Sequence, residues 1–298
     1  MSFYERAIAK KALQALRAGD SRSCPSESEA AQHEGSEAPS GVGAQKYGAP
    51  AAHGPERKVI DISSIPAVQR YLERMTGEES RLYEFRRIKR ALLKNIEAGA
   101  EGGIRNPNLV AVTSAVSGEG KTYTALNLAL NLTLERDRTV LLVDADVRKR
   151  EITQLLGLND MSGVTDLVVR PECELPDVLM RTSIHNLVVL PAGAYDRDAV
   201  EILSSARLGR LIEEMSQRYA DRIIIFDTPP VLATVEAHVL TDMAGQVVFV
   251  VESERTLLPM VKQALAQIDN KEKAVGLVLN RYRPRFGSAG DHYYGGYY

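Results

Sequence analysis

The apolar positions change period several times along this chain, and the changes divide it. Residues 3–18 place Tyr4, Ile8, Ala12 and Leu16 at helical spacing, with Arg6, Lys10, Lys11 and Arg17 around them. This predicts a short amphipathic helix over 1–19. Its basic face either meets a membrane surface or a partner, or it is simply the solvated side of a marginal helix. Residues 20–57 hold only Val42 and Tyr47 as large apolar side chains, and 22 of those 38 positions are Ser, Gly, Pro or Ala. So little apolar surface cannot offset the chain entropy, which predicts a disordered linker. His33 and His53 lie in it with no companion ligands and are expected to be exposed polar residues rather than a metal site.

After KVIDISSIPAVQRYLERM, a helix is predicted from about Ser80 to Ile96, with Ser80 as its cap and Leu82, Phe85, Lys89, Leu92 and Ile96 as its buried stripe. Residues 58–100 are thus expected to be helices leading into the main domain. From Leu109 the period shortens. Apolar, β-branched runs fall at 109–113, 140–143, 187–190, 223–226, 247–251 and 275–279, with helical patterns between them at 122–136, 151–156, 206–219 and 256–268. Runs without a polar face, alternating with helices, predict an α/β domain over 101–282: a doubly wound, mostly parallel sheet covered on both sides.

Composition narrows the function. The chain has 298 residues, 44% of them hydrophobic, enough for a sizeable core. A net charge of -2 provides no global basic field, so nucleic acid is not expected as the main partner, a local basic patch being the alternative. Cys24 and Cys173 are the only cysteines, which rules out a disulfide framework and fits a reducing compartment. Charges interrupt the N-terminal apolar pattern, and no run approaches the roughly 18 apolar residues of a spanning helix, so a cytoplasmic location is expected.

The candidate chemistry begins where the strand LVAVTS runs into AVSGEGKT and a helix. Gly118 and Gly120 let backbone N–H groups turn inward around phosphates, and the following helix adds its positive end. Lys121 can reach the β- and γ-phosphates, and the Thr122 hydroxyl suits Mg²⁺. The first glycine of the usual pattern is Ala115 here. TVLLVDADVRKR ends a strand in Asp144, Asp146 and Arg148, and RIIIFDTPP ends another in Asp227. In an open parallel sheet the carboxyl ends of strands form the ligand crevice, so these acids would meet the phosphates and hold the metal. A lone Asp after a strand is more often a turn or helix cap; three separated motifs in this order favour the site.

Ala-x₄-Gly-Lys-Thr, then VDADVRKR, then IIIFDTPP resembles the Walker A, A′ and B set of the bacterial tyrosine kinases, P-loop NTPases that act as cytoplasmic autokinases in exopolysaccharide and capsule export. The resemblance covers about 80–282. Glu84, Arg87 and Arg90 match the family's E-x-x-R-x-x-R oligomerisation motif, where an intrahelical salt-bridge row is the alternative. The low-complexity N-terminus resembles the exosortase-associated branch. Two departures concern the subfamily: Ser117 stands where many members have proline, and GAYDRDAVEILSS replaces an expected Asn-Pro turn. The partition and septum-placement ATPases share the fold and give the other reading, an ATP-driven switch or an ATP-binding scaffold without kinase activity. Their signature lysine, five residues before the P-loop lysine, is Val116 here.

The resemblance implies ATP and Mg²⁺ as cofactors. It implies ATP contacts from Ser117, Gly118, Glu119, Gly120, Lys121, Thr122 and Tyr123, and metal contacts from Thr122, Asp146 and Asp227; Asp144 is the candidate acceptor of the tyrosine proton, a role the sequence does not separate from that of Asp146. Asn280, at the end of the last strand, either reads the adenine ring or caps that strand. RYRPRFGSAGDHYYGGYY, residues 281–298, carries five of the twelve tyrosines with no apolar stripe to bury them. The expectation is a mobile tail over 283–298 whose Tyr293, Tyr294, Tyr297 and Tyr298 are the phosphoryl acceptors; a sticky disordered tail is the alternative, and His292 alone is poor evidence for a metal. The implied partners are further copies of the chain in a ring-shaped homo-oligomer, an inner-membrane polysaccharide chain-length regulator that recruits and activates the kinase, and a cognate tyrosine phosphatase.

Overall fold

In the computed structural model, which describes residues 59–76, 81–135, 137–194, 206–219, 221–268 and 272–282, the apolar runs become strands of one eight-stranded sheet. In chain order the elements are β1 (Val59–Ile60), α1 (Pro66–Thr76), α2 (Arg81–Ala98), β2 (Leu109–Ser114), α3 (Lys121–Leu132), β3 (Thr139–Asp144), α4 (Glu151–Leu155), α5 (Val164–Val169), α6 (Leu175–Val178), β4 (Met180–Thr182), β5 (Leu187–Leu190), α7 (Ala206–Arg218), β6 (Arg222–Asp227), α8 (Val235–Met243), β7 (Gln246–Glu252), α9 (Leu258–Ile268) and β8 (Ala274–Asn280). Across the sheet they run β1-β4-β5-β3-β6-β2-β7-β8. Neighbours are parallel except β4 with β5.

The missing polar face has a direct cause. Along β2, Leu109 and Ala111 enter one core with residues of α7, α8 and α9, while Val110 and Val112 enter the other with residues of α1, α2 and α3. Successive side chains point to opposite faces, and both faces are covered.

The described residues of this N-terminal stretch share a core with the α/β domain. Ile62, Val68, Tyr71, Leu72 and Leu92 are buried in the same core as α3, and β1 pairs with β4. A two-residue strand has no period to read. On α2, Leu92 is buried and Phe85, Lys89 and Ile96 are half-buried, as expected; Lys89 reaches Glu135 at 2.7 Å, which explains a lysine in the stripe. Helix α3 stops at Leu132 rather than 136 because the Thr133 hydroxyl donates to Leu130 O and the Leu134 and Glu135 amides donate to the carbonyls three residues back. The Ser80 cap, the helix and linker over 1–57 with their exosortase-like character, and the tyrosine tail lie outside the described residues. Among the described residues no helix is long and apolar enough to cross a membrane.

Candidate phosphate-binding site

β2 ends centrally in the sheet, and the chain turns through 115–120 into α3. Gly118 and Gly120 take φ values of 89° and 94°, the left-handed region that a side chain disfavours. Space excludes one at Gly120 as well: a Cβ there would lie 2.1 Å from Asn280 Nδ2. Helix α3 starts at Lys121 with no side-chain cap, so its first N–H groups are left to an anion.

Glu119 and Asn280, both expected to contact ATP, also tie this loop to the rest of the sheet. The buried Glu119 carboxylate accepts from Val116 N at 2.7 Å, from Glu252 N at 3.3 Å and from the Thr256 hydroxyl. Asn280 Nδ2 donates to Glu119 O at 2.8 Å, and Asn280 Oδ1 accepts from Arg281 N at 2.9 Å. Asn280 thus caps its strand end and adds a strap to the loop. The Glu119 carboxylate therefore faces the end of β7 and the turn after it, while its backbone carbonyl takes the strap from the end of β8.

The strand-end acids converge. Asp144 and Asp227 are opposite one another in the β3–β6 register, and β6 lies between β3 and β2. Asp144 and Asp227 are fully buried, Asp146 and Lys121 nearly so. Asp144 Oδ2 accepts from Thr153 N at 2.8 Å and from Thr153 Oγ1 at 2.6 Å. Its Oδ1 and both oxygens of Asp227 have no hydrogen-bond partner among the described residues. Burial pushes the Asp144 carboxyl up to about 6 and the Asp227 carboxyl well above the usual carboxylate range, the latter opposed by the Lys121 charge. Asp146 is also raised by burial, again opposed by Lys121.

Among the described residues no group of three or more His, Cys, Asp or Glu is arranged to hold a metal unaided. Mg²⁺ takes one or two carboxylates and completes its octahedron with phosphate oxygens and water. Unpartnered carboxylate oxygens next to Lys121 and Thr122 offer such a partial site.

Three residues at this site, Thr153, Lys149 and Glu151, escape sequence reading. Thr153 holds Asp144 and also accepts from Ala192 N at 2.9 Å. Lys149 Nζ donates to Ser117 Oγ and reaches Glu151 Oε1 at 3.3 Å. No spacing rule links these positions to the loop; the basic pair Arg148–Lys149 is the one hint. Arg148 itself turns away, pairing with Glu236 at 3.4 Å.

Glu84, Arg87 and Arg90 are exposed on α2. Phe85 between them lies edge-on to Tyr123, with ring centroids 6.5 Å apart and planes at 63°. Tyr123 is 45% exposed. The ring contact places Phe85 of α2 against the first turn of α3, one residue from Thr122.

The AAA-domain family matches residues 108–280. Tyrosine-protein kinase YwqD of Bacillus subtilis is 32% identical over 194 residues, covering 64% of this chain and 78% of YwqD. Tyrosine-protein kinase wzc of Salmonella typhi is 32% identical over 174 residues, 58% of this chain, and that match spans only 24% of wzc. Among solved structures, the VpsO kinase domain has a TM-score of 0.52 at 32% identity, over 58% of this chain and 84% of that one. The septum site-determining protein MinD of Pyrococcus horikoshii, solved with Mg-ADP, has a TM-score of 0.50 at 27% identity, over 58% of this chain and 70% of that one.

Proposed function

The chain belongs to the AAA-domain family and, within it, to the bacterial tyrosine-protein kinases, and we propose that it transfers the γ-phosphoryl group of ATP to tyrosine hydroxyls. The observation that carries this reading is the union of an uncapped helix start, a buried lysine and two buried carboxylates with unpartnered oxygens at adjacent strand ends. Lys121 and the loop amides would bind the phosphates. Thr122 and Asp146 would hold Mg²⁺ directly and Asp227 through water, and the ion would neutralise charge on the β- and γ-oxygens.

The acceptor oxygen forms its bond to the γ-phosphorus as the bond to the β,γ-bridging oxygen breaks, and ADP leaves. A tyrosine hydroxyl titrates near 10, so its proton must depart during transfer. Asp144 is the proposed acceptor: Thr153 occupies one carboxylate oxygen and leaves the other without a partner. Asn280 is the proposed contact for the adenine ring, since its strap to Glu119 O uses one of its two amide hydrogens.

The proposed acceptors are Tyr293, Tyr294, Tyr297 and Tyr298. Glu84, Arg87 and Arg90 are proposed to join subunits, so that one chain's tail reaches the next chain's crevice. A membrane-embedded polysaccharide chain-length regulator is the proposed activator and anchor at the inner face of the membrane, and a tyrosine phosphatase would reverse the modification. Exopolysaccharide or capsule export is the process proposed to be under control.

The likeness to MinD supports a second reading, an ATP-driven switch without kinase chemistry. Against it, the position of that class's signature lysine is Val116, whose side chain packs on the core. Intact mass of the full chain after incubation with ATP and Mg²⁺ separates the two. Phosphate adducts mapped to tyrosine support the kinase; nucleotide turnover with no adduct supports the switch.

A further inference from the structure

Lys149 and Glu151 form a charged bridge across the mouth of the phosphate loop, and the proposed transfer reaction assigns neither a role. The lysine ammonium spans two groups, the Ser117 hydroxyl on the loop and the Glu151 carboxylate at 3.3 Å. Both side chains are partly open to solvent, at 40% and 47%. The bridge is therefore not buried structural mortar, and a ligand can reach it.

Glu151 stands at the lip of the phosphate loop: the ammonium that reaches its carboxylate at 3.3 Å also donates to Ser117 on the loop. The carboxylate thus takes up one acceptor position of a cation held at the loop, a position that an oxygen of a bound nucleotide's phosphate could take instead. A single weak carboxylate cannot compete with a phosphate oxygen bearing more charge and more acceptor sites.

Resting on the reading of this crevice as an ATP site, we propose that Lys149 is a second phosphate-contacting cation. Without nucleotide it is parked on Ser117 and Glu151; on ATP binding it transfers from Glu151 to the γ-phosphate. Position favours the last phosphate over the inner ones. Lys121 and the loop amides surround the start of α3, whereas Lys149 comes from the far side of the crevice, after β3, and touches the loop at Ser117, three residues ahead of Gly120. Lys149 would supply from within the chain a positive charge that the loop lacks at Val116. Two backbone links and one to a side chain hold its segment in place: Lys149 N donates to Asp146 O at 3.0 Å and to Asp146 Oδ1 at 3.3 Å, and Arg150 N donates to Asp146 O at 2.7 Å. The lysine is thereby coupled to a proposed metal ligand.

The test compares nucleotides that differ only at the third phosphate. Calorimetric affinities for ADP and for a β,γ-imido ATP, both with Mg²⁺, are measured on the full chain as wild type, Lys149→Ala, Lys149→Arg and Glu151→Gln. Lys149→Ala should lose about tenfold or more in affinity for the ATP analogue with ADP changed less than about twofold, so that the preference for the triphosphate collapses. Lys149→Arg should restore part of it, and Glu151→Gln should keep or increase it because the parking carboxylate is gone. If Lys149→Ala weakens both nucleotides equally, or neither, Lys149 is not on the γ-phosphate and the proposal is overturned while the site stands. A wild-type chain that binds neither nucleotide overturns the site, and the role of Lys149 with it.

Discussion

Asp144 and Asp227 occupy paired positions on two adjacent parallel strands, and Ala145 N donates to Asp227 O at 2.9 Å just beyond the pair. Two buried carboxyls at neighbouring strand ends repel, and burial penalises the charge of each. Such an arrangement is costly without nucleotide and favourable once a cation and a polyphosphate arrive. That difference makes the crevice sensitive to single changes of charge.

Lys121→Met should abolish tyrosine phosphorylation, with a fall on the order of 10²-fold or more. Lys121 is nearly buried, so the exchange for an apolar chain of similar length should leave the fold intact. Circular dichroism and phosphotyrosine mass spectrometry on the same preparation check both parts. Phosphorylation at the wild-type rate would remove Lys121 from the site.

Asp144→Asn keeps the side chain's shape and its acceptor for Thr153 but loses the proton acceptor. Turnover should fall on the order of 10²-fold with nucleotide affinity nearly unchanged. Single-turnover kinetics beside equilibrium binding gives the split. Lost Mg²⁺–ATP binding with normal catalysis per bound enzyme would make Asp144 a metal ligand instead.

The same substitution should change the pH dependence of stability in metal-free buffer with a chelator. The carboxyl of Asp144 is raised from 3.8 to about 6, so the fold favours its protonated form. That contribution is complete below the ordinary carboxylate pKa and is lost as pH rises through about 6. Asp144→Asn should therefore be more stable than wild type at pH 8, by roughly 3 kcal/mol, with a smaller gap at pH 5. Denaturant unfolding at the two pH values measures it, and an equal gap at both would contradict burial of the charge as the cause.

Replacing Glu84, Arg87 and Arg90 together with alanine alters only exposed α2 positions and should cost little stability. Light scattering should report a smaller particle, and tail phosphorylation should fall and become dependent on protein concentration, since assembly raises the local concentration of acceptor tyrosines toward the millimolar range. A monomer that still labels its tail at full rate, whatever its concentration, would establish transfer within one chain.

The sequence by itself determined whatever depends on neighbours along the chain. The left-handed Gly118 and Gly120 and the helix start at Lys121 follow from a few consecutive residues, because backbone torsions are set locally. The six long strands followed from apolar runs, because a strand covered on both faces needs no polar alternation; β8, at the sheet edge, is as apolar but leaves Leu277 and Leu279 exposed. Tertiary structure alone decided what depends on sheet order and on residues distant in sequence. β1 joins β4 through two residue pairs with no readable period. Asp144 meets Asp227 only because β6 lies beside β3, and Thr153 is turned back onto Asp144 by the start of α4. Asn280 crosses from β8 to strap the loop, and Lys149 crosses from the end of β3 to Ser117. Spacing along one element predicts which side chains share its face. Which strand ends become neighbours is set by how the helices pack over the sheet, and that packing brings the loop, the acids and the second lysine to one crevice.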